Sequence, residues 1–274
     1  MSISAEVKEA YFAPRNLSYR HNEILPTRSS LVLLHGHGAS ASEWLGYELD
    51  LGRCHNIIAV DLRGHGRSSR PRRYSQHDPR EAAIDVAQLL SALDVSHCAL
   101  IAHSLGALVA LELHAIMGAR VRGLILVSPV YGALPYADVL PPLLAVMTPV
   151  IRCLGGGDRG QRVDYSLFKA STERDWRRAW AELRACGARS YLFWMRQVYE
   201  YRHGVRWRGV TVPTLIFSGA MDGVTRHAAA AALARDLVSS ELVAFEREDH
   251  MLLLNQPTAI AAAMKTFLAR IAAA

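Results

Sequence analysis

The chain has 274 residues, of which 51% are hydrophobic and 20% are charged, and its formal net charge is +6 at pH 7. This length suits one large domain, or a core that carries one inserted subdomain, and the composition is that of an ordinary globular protein. Charged residues among the first thirty positions exclude the apolar core of a secretory signal, and no uncharged apolar run is long enough to span a membrane. We therefore expect a soluble, cytoplasmic protein.

The positive charge is concentrated in residues 130–208, where thirteen basic residues stand against seven acidic ones. Arginines on helical segments most often form a solvated face, but such an excess also favours an anionic substrate or carrier. No nucleic-acid-binding motif accompanies the basic residues, so we expect no nucleic-acid partner. The four cysteines are widely spaced and none belongs to a Cys-x-x-Cys pair, which argues against a disulfide framework and a zinc site.

Strand-like and helical patterns alternate through the first half of the chain. Residues 7–19 alternate weakly, as an edge strand or a hairpin does. Ser30–Leu34 and His55–Val60 are continuous apolar runs typical of buried parallel strands. Each run ends in a polar loop that contains glycine, residues 35–38 and 61–68 respectively.

The next helix has a clear start signal. Asp78 is expected to cap a helix that begins at Pro79, with Glu81 reaching back to complete a capping box. A further buried strand, His97–Ile101, then leads to a helix over residues 105–117. This order of strand, helix, strand and helix predicts a parallel sheet with helices on both faces.

The alternation of strands and helices stops after the following strand, Val121–Val127. Residues 130–208 contain no buried strand run, and they carry four prolines, a Gly155–Gly157 hinge and aromatic-rich helical stretches. We therefore expect an inserted, mainly helical subdomain over 130–208, with residues 1–129 and 209–274 forming the core. The second part of the core is expected to contain strands at Pro213–Ser218 and Glu241–Phe245, an alanine-rich helix between them and a closing helix over 257–271.

A serine stands where the His97–Ile101 strand meets its helix. Ser104 lies between the small residues Ala102 and Gly106, two positions away on either side. Small residues there allow strand and helix to converge in a sharp turn, which would expose the Ser104 hydroxyl at the carboxyl edge of the sheet. The alternative is that Ser104 only caps the helix, as serine often does.

Two further polar loops follow later strands of the sheet. Asp222 comes after the Pro213–Ser218 strand, and His250 comes after the last strand. Parallel strands end at the same edge of a sheet, so we expect Ser104, Asp222 and His250 to meet there. A neutral serine hydroxyl needs a base to take its proton as it attacks, which suits His250, and an ionised Asp222 would orient the imidazole. The alternative acids are Asp249, whose adjacency to His250 places it poorly, and Asp138.

With these pieces in order, the sequence resembles an α/β-hydrolase, specifically the lidded serine hydrolases of the carboxylesterase type. The resemblance covers essentially the whole chain, although Ala102 stands where the family most often has glycine. It implies an α/β fold with a mostly parallel, eight-stranded sheet flanked by helices and a helical lid inserted after the sixth strand. The matching motifs are His35–Gly38, Asp61–Ser68, Ala102–Gly106, Gly219–Asp222 and Asp249–His250.

The resemblance also implies an oxyanion hole formed by the backbone N–H groups of His37 and Leu105. It implies no metal and no cofactor. His35 and His37 form a His-x-His pair, but without further ligands at suitable spacing they are expected to pack the loop. Pocket-lining candidates are His103, beside the nucleophile, and Trp176, Trp180 and Trp194 in the lid, with lid packing as the alternative for Trp176 and Trp180.

These features predict a serine hydrolase that cleaves a carboxylic ester or a thioester of a small acyl substrate through a Ser104 acyl-enzyme. A serine in place of aspartate argues against epoxide hydrolase and haloalkane dehalogenase chemistry. Acyl transfer, perhydrolysis and carbon–carbon bond hydrolysis use the same three residue types and remain alternatives. A ligand receptor on a hydrolase scaffold is a further alternative, and the sequence carries no indication of oligomeric state.

Overall fold

The computed structural model describes residues 6–154, 157–201 and 207–273. The strands are β1 (Lys8–Phe12), β2 (Leu17–His21), β3 (Ser30–Leu34), β4 (Asn56–Val60), β5 (Cys98–His103), β6 (Val121–Val127), β7 (Thr214–Gly219) and β8 (Ser240–Phe245). The helices are α1 (Leu45–Leu51), α2 (Pro79–Ala92), α3 (Leu105–Met117), α4 (Leu140–Val146), α5 (Thr148–Cys153), α6 (Trp176–Cys186), α7 (Ala188–Glu200), α8 (His227–Asp236), α9 (Leu252–Asn255) and α10 (Pro257–Ala273).

The strands form one eight-stranded sheet in the order β1-β2-β4-β3-β5-β6-β7-β8. β1 pairs with β2, and β2 with β4, in antiparallel register, whereas β4, β3, β5, β6, β7 and β8 run parallel to one another. The predicted fold class is therefore confirmed: a mostly parallel α/β sheet flanked by helices. All six parallel strands end at one edge, where the loops that follow them come together.

Helices cover both faces of the sheet, which explains why its central strands are continuously apolar. Val32 and Leu34 face one hydrophobic cluster, to which α2 and α3 contribute. Leu31 and Leu33 face the opposite cluster, which includes Trp44 and the inner side of α10. Successive side chains of a strand point to opposite faces, so a strand buried on both sides has no polar positions to alternate with.

Most element boundaries agree with the sequence pattern, and two details differ, one next to Ser104 and one at the start of α2. β5 runs to His103, two residues beyond the predicted end at Ile101, so that the strand leads directly into Ser104. Asp78 caps α2 by accepting the Arg80 N–H at 2.7 Å. The expected capping box does not form, because Glu81 turns toward arginines, with Arg63 at 3.5 Å.

A helical segment lies between β6 and β7. Its described residues, 130–201 and 207–213, contain α4, α5, α6 and α7 and no strand of the sheet. Helix α6 begins at an Asp175 cap that accepts the Arg177 and Arg178 N–H groups. Gly155 and Gly156 of the predicted hinge lie outside the described residues.

In the described ranges no helix combines the length and the apolar character that crossing a bilayer requires. The four cysteines are free thiols: Cys98 and Cys186 are buried, and Cys54 and Cys153 are exposed. Burial raises the pKa of the Cys98 and Cys186 thiols to about 12, so both are neutral near pH 7.

Candidate active site

Ser104 occupies a sharp turn between β5 and α3. Its backbone has φ 49° and ψ −113°, a conformation that a non-glycine residue adopts only where the surrounding structure holds it. A Cβ added at Gly106 would lie 2.3 Å from the Leu34 carbonyl oxygen, so only glycine fits at that position. The Ser104 side chain makes no capping hydrogen bond to α3. The helix-cap alternative is therefore wrong, and the turn presents the hydroxyl to the site instead.

The structure brings Ser104, Asp222 and His250 together at the carboxyl edge of the sheet. His250 Nε2 lies 3.0 Å from Ser104 Oγ, and His250 Nδ1 lies 2.9 Å from Asp222 Oδ2. All three residues are buried. The imidazole thus has one nitrogen on a hydroxyl and the other on a carboxylate, which is the arrangement needed to take a proton from the hydroxyl.

Several donors hold the Asp222 carboxylate in its ionised form. It accepts the N–H groups of Val224 at 2.9 Å and Thr225 at 2.8 Å, and the Thr225 hydroxyl at 2.8 Å. Burial alone would raise the pKa of Asp222, but His250 and these hydrogen bonds outweigh burial and hold it well below its usual range. Asp249 does not compete for His250, because its oxygens accept the N–H groups of Met251 at 2.8 Å and Glu173 at 2.9 Å.

Two backbone segments lie beside Ser104, the first turn of α3 and the 35–38 loop. Leu105 is the first residue of α3, so its N–H has no acceptor within the helix. The 35–38 loop packs against the turn at Ser104: a Cβ added at Gly36 would lie 3.5 Å from Ser104 Cβ. The His37 ring is held by a 2.8 Å hydrogen bond from its Nε2 to the Tyr191 carbonyl. Burial lowers the pKa of His37 to about 4, so the ring is neutral near pH 7.

His103 lines the cavity that contains Ser104 and His250, and it has a buried partner that sequence reasoning missed. Its Nδ1 lies 2.9 Å from Glu43 Oε1, and its ring centroid lies 5.2 Å from that of His250. Burial would lower the pKa of His103, but the Glu43 carboxylate outweighs burial and raises it. Glu43 is one of several polar residues in the segment after β3, and no periodicity or motif marks it.

A cavity of about 320 Å³ opens above Ser104 and His250. One side is polar and includes Arg178 and Glu182 of α6, which form a 2.6 Å ion pair. Sequence reasoning also missed this pair, because arginines on an amphipathic helix are expected to face solvent. The other side of the cavity is apolar and includes Leu134, Met195 and Val198.

The three candidate tryptophans do not line this cavity, which corrects the prediction. Trp176 is 74% exposed and Trp180 is 55% exposed, because α6 turns its Arg178 and Glu182 face inward. Trp194 is fully buried, and its indole N–H donates to the Arg63 carbonyl at 2.8 Å. Trp194 therefore packs α7 against the core, and Trp176 and Trp180 are surface residues.

The His-x-His pair packs its loop. Both nitrogens of His35 are engaged: Nδ1 contacts the Gly36 carbonyl at 2.7 Å, and Nε2 accepts the Leu62 N–H at 3.0 Å. The His37 Nε2 is likewise taken by the Tyr191 carbonyl. Within the described residues, no group of three or more His, Cys, Asp or Glu side chains is arranged to hold a metal ion.

The sequence pattern of the Alpha/beta hydrolase family matches residues 31–263, and the chain belongs to this family. It is 35% identical over 99 residues to an uncharacterized protein of Mycobacterium tuberculosis, covering 36% of this chain and 28% of that protein. It is 36% identical over 116 residues to the 1-acylglycerol-3-phosphate O-acyltransferase ABHD5 of Rattus norvegicus, covering 41% and 32%. The matches thus span about a third of the length of these curated relatives.

Among solved structures, the chain is similar to the enol-lactonase from Burkholderia xenovorans LB400. The TM-score is 0.74 at 19% identity, and the match covers 96% of this chain and 100% of the lactonase. At this identity the similarity shows the shared fold. It agrees with the family match in placing the chain in the α/β-hydrolase fold.

Proposed function

We propose that the protein is a serine hydrolase that cleaves a carboxylic ester, or a thioester, of a small acyl substrate through a Ser104 acyl-enzyme. The observation that carries this proposal is the position of His250 between Ser104 Oγ, at 3.0 Å, and Asp222 Oδ2, at 2.9 Å. The cavity above these residues gives a substrate carbonyl access to the hydroxyl.

In the first half of the reaction, Ser104 Oγ attacks the substrate carbonyl carbon while His250 Nε2 takes the hydroxyl proton. The carbonyl π electrons move to oxygen, and the N–H groups of His37 and Leu105 stabilise the resulting oxyanion. When the tetrahedral intermediate collapses, the bond to the leaving group breaks and His250 returns the proton to the leaving oxygen or sulfur. The product of this half is an ester between the acyl group and Ser104.

In the second half, water takes the place of the Ser104 hydroxyl. His250 accepts a proton from water as the oxygen attacks the acyl carbon, and then returns a proton to Ser104 Oγ as the acid leaves. Asp222 stabilises the imidazolium that forms in both halves, and it keeps Nδ1 protonated so that Nε2 faces the serine. No step consumes anything besides the acyl substrate and water.

We further propose that residues 130–208 act as a lid on a core formed by residues 1–129 and 209–274. Residues of this segment supply much of the cavity wall, including Arg178 and Glu182 on the polar side and Met195 on the apolar side. The acyl group that reaches Ser104 is therefore selected mainly by this segment. Its excess of basic residues favours anionic or carrier-bound acyl substrates.

A fluorophosphonate probe followed by peptide mass mapping tests the proposal. The probe reacts with a serine whose proton an adjacent base removes, so we expect one label on the peptide that contains Ser104. Ser104→Ala should abolish both labelling and turnover of p-nitrophenyl esters. A protein that hydrolyses these esters without labelling, or that labels at another residue, would contradict the role of Ser104.

A further inference from the structure

Glu43 makes two contacts that join separate parts of the site. Its Oε1 lies 2.9 Å from His103 Nδ1, and its Oε2 accepts the Gly36 N–H at 3.0 Å. His103 directly precedes Ser104, and Gly36 directly precedes His37. One carboxylate therefore links the turn that holds the nucleophile to the loop that carries the second backbone donor.

The two linked segments are in close contact. A Cβ added at Gly36 would lie 2.8 Å from His103 Nδ1, closer than real Cβ contacts occur. Glu43 is 4% exposed and His103 is 3% exposed, so water does not compete for either hydrogen bond. The separation of the segments thus depends on the length and position of the Glu43 side chain.

The charges around Glu43 favour its ionised form. Burial would raise the pKa of Glu43, but the His103 charge, its hydrogen bond and the Gly36 N–H together lower it. The other ionisable groups near it are His35, Tyr47, Tyr165, Arg178 and Glu182. A carboxylate that accepts from an imidazole N–H and a backbone N–H forms stronger, shorter hydrogen bonds than a neutral acceptor does.

We propose that Glu43 is a positioning residue that sets the distance between the His37 and Leu105 N–H groups, between which the oxyanion forms. This inference rests on the proposed function and adds to it a residue that acts through the two backbone donors. Oxyanion donors work only within about 2.7–3.1 Å of the developing charge. Loss of the Glu43 link should therefore weaken stabilisation of the transition state more than binding of the substrate.

Three substitutions at Glu43 separate this role from a merely structural one. Glu43→Ala removes both contacts and should lower kcat about 10²-fold, the effect of losing one oxyanion donor, while KM changes less than about threefold. Glu43→Asp keeps the charge but is one methylene too short to reach both groups, so kcat should fall at least about tenfold. Glu43→Gln retains an oxygen for the Gly36 N–H and an N–H for His103, so kcat should stay within about tenfold of wild type.

The affinity of an alkyl boronic acid, which forms a tetrahedral adduct with a nucleophilic serine, gives the second readout. It should fall in parallel with kcat/KM across the three variants, because the adduct uses the same backbone donors. Glu48→Ala is the matched control, since Glu48 is also buried but pairs with Arg20 at 2.9 Å. This control should lower the melting temperature and leave kcat and boronate affinity unchanged.

The proposal is wrong if Glu43→Asp, or a folded Glu43→Ala, keeps kcat within about threefold of wild type. It is equally wrong if boronate affinity is unaffected while KM rises. If the proposed function itself is wrong, the result is different from those at Glu43, because Ser104→Ala would then retain turnover. The Asp variant keeps the test decisive where the Ala variant does not fold.

Discussion

At the scale of single residues, the acid nearest to His250 in the sequence is not the acid nearest to its ring in the structure. Asp249 is next to His250 in the chain, yet its oxygens bind the Met251 and Glu173 N–H groups. Asp222 is 28 residues away and reaches His250 Nδ1. Neighbouring side chains in a turn diverge, whereas the loops after β7 and β8 lie side by side because their strands are paired.

Asp222→Asn should lower kcat by very roughly 10³- to 10⁴-fold on a p-nitrophenyl ester. The amide cannot hold His250 in the tautomer that presents an unprotonated Nε2 to Ser104, nor stabilise the imidazolium. Asp249→Asn is the matched control and should keep kcat within a few-fold, because Asp249 touches neither Ser104 nor His250. A loss below tenfold at Asp222 would show that another carboxylate orients the base.

At the scale of elements, α6 and α7 show that residue type does not decide which face of a helix is buried. Both carry tryptophan and arginine, but α6 buries Arg178 and exposes Trp176, whereas α7 buries Trp194. The Trp194 indole N–H also donates to the Arg63 carbonyl at 2.8 Å. The same indole nitrogen lies against the next residue, Gly64, and leaves no room there for a Cβ. The docking of α7 therefore depends on one large side chain and its hydrogen bond.

Trp194→Phe should lower the free energy of unfolding by about 1–3 kcal/mol, since it removes the indole donor from the Arg63 carbonyl, which keeps only the longer 3.3 Å contact to His65 Nδ1, and opens space in the core. Trp176→Phe provides a matched control: the same change at a 74% exposed position should stay within about 0.5 kcal/mol of wild type. Urea unfolding followed by circular dichroism measures both variants. Equal effects at the two positions would contradict the assignment of Trp194 to the core.

At the scale of the whole molecule, positive charge lies on the outside of the helical segment, while the cavity wall carries more acidic than basic side chains. Arg174 and Arg177 are exposed, whereas Glu43, Glu173 and Glu182 accompany a single arginine, Arg178, in the wall of the cavity. The basic excess should therefore act on an approaching anion over a distance rather than by direct contact. Such attraction is screened beyond roughly 8 Å at physiological ionic strength.

Raising NaCl from about 10 to about 200 mM should lower kcat/KM for an anionic ester, such as a p-nitrophenyl hemiester of a dicarboxylic acid, more than for a neutral ester of the same length. The double variant Arg174→Gln and Arg177→Gln should reduce this difference without changing turnover of the neutral ester. Equal salt dependence of the two esters would show that the arginines form only a solvated surface and do not attract the anionic ester.

The parts of the molecule that sequence predicts well have local physical causes. Ser30–Leu34 and Val121–Val127 agree with the observed strands because buried parallel strands are continuously apolar. Ser104 and His250 could be identified because small residues at a tight turn and polar loops after strands leave a pattern in the chain. The fold class follows from the same alternation of strand and helix.

Other features depend on contacts between distant residues and leave no local pattern. Glu43 meets His103 across 60 positions, and nothing in either neighbourhood identifies the partner. Burial of Arg178 rather than Trp176 depends on Glu182 and Tyr165, whose hydroxyl donates to Glu182 at 3.1 Å. Pocket-lining residues were therefore the least predictable, since helical periodicity gives a face but not its orientation.

The contact between Ser104 and His250 joins positions 146 residues apart, and β8, which precedes His250, is the last strand at one edge of the sheet. During synthesis, the ribosome adds His250 after the 35–38 loop, Glu43 and the turn at Ser104 have been translated. A nascent chain that ends at Phe245 thus carries a serine without its base. Under the proposed function, acylation of Ser104 must therefore wait until His250 has been translated and β8 has paired with β7.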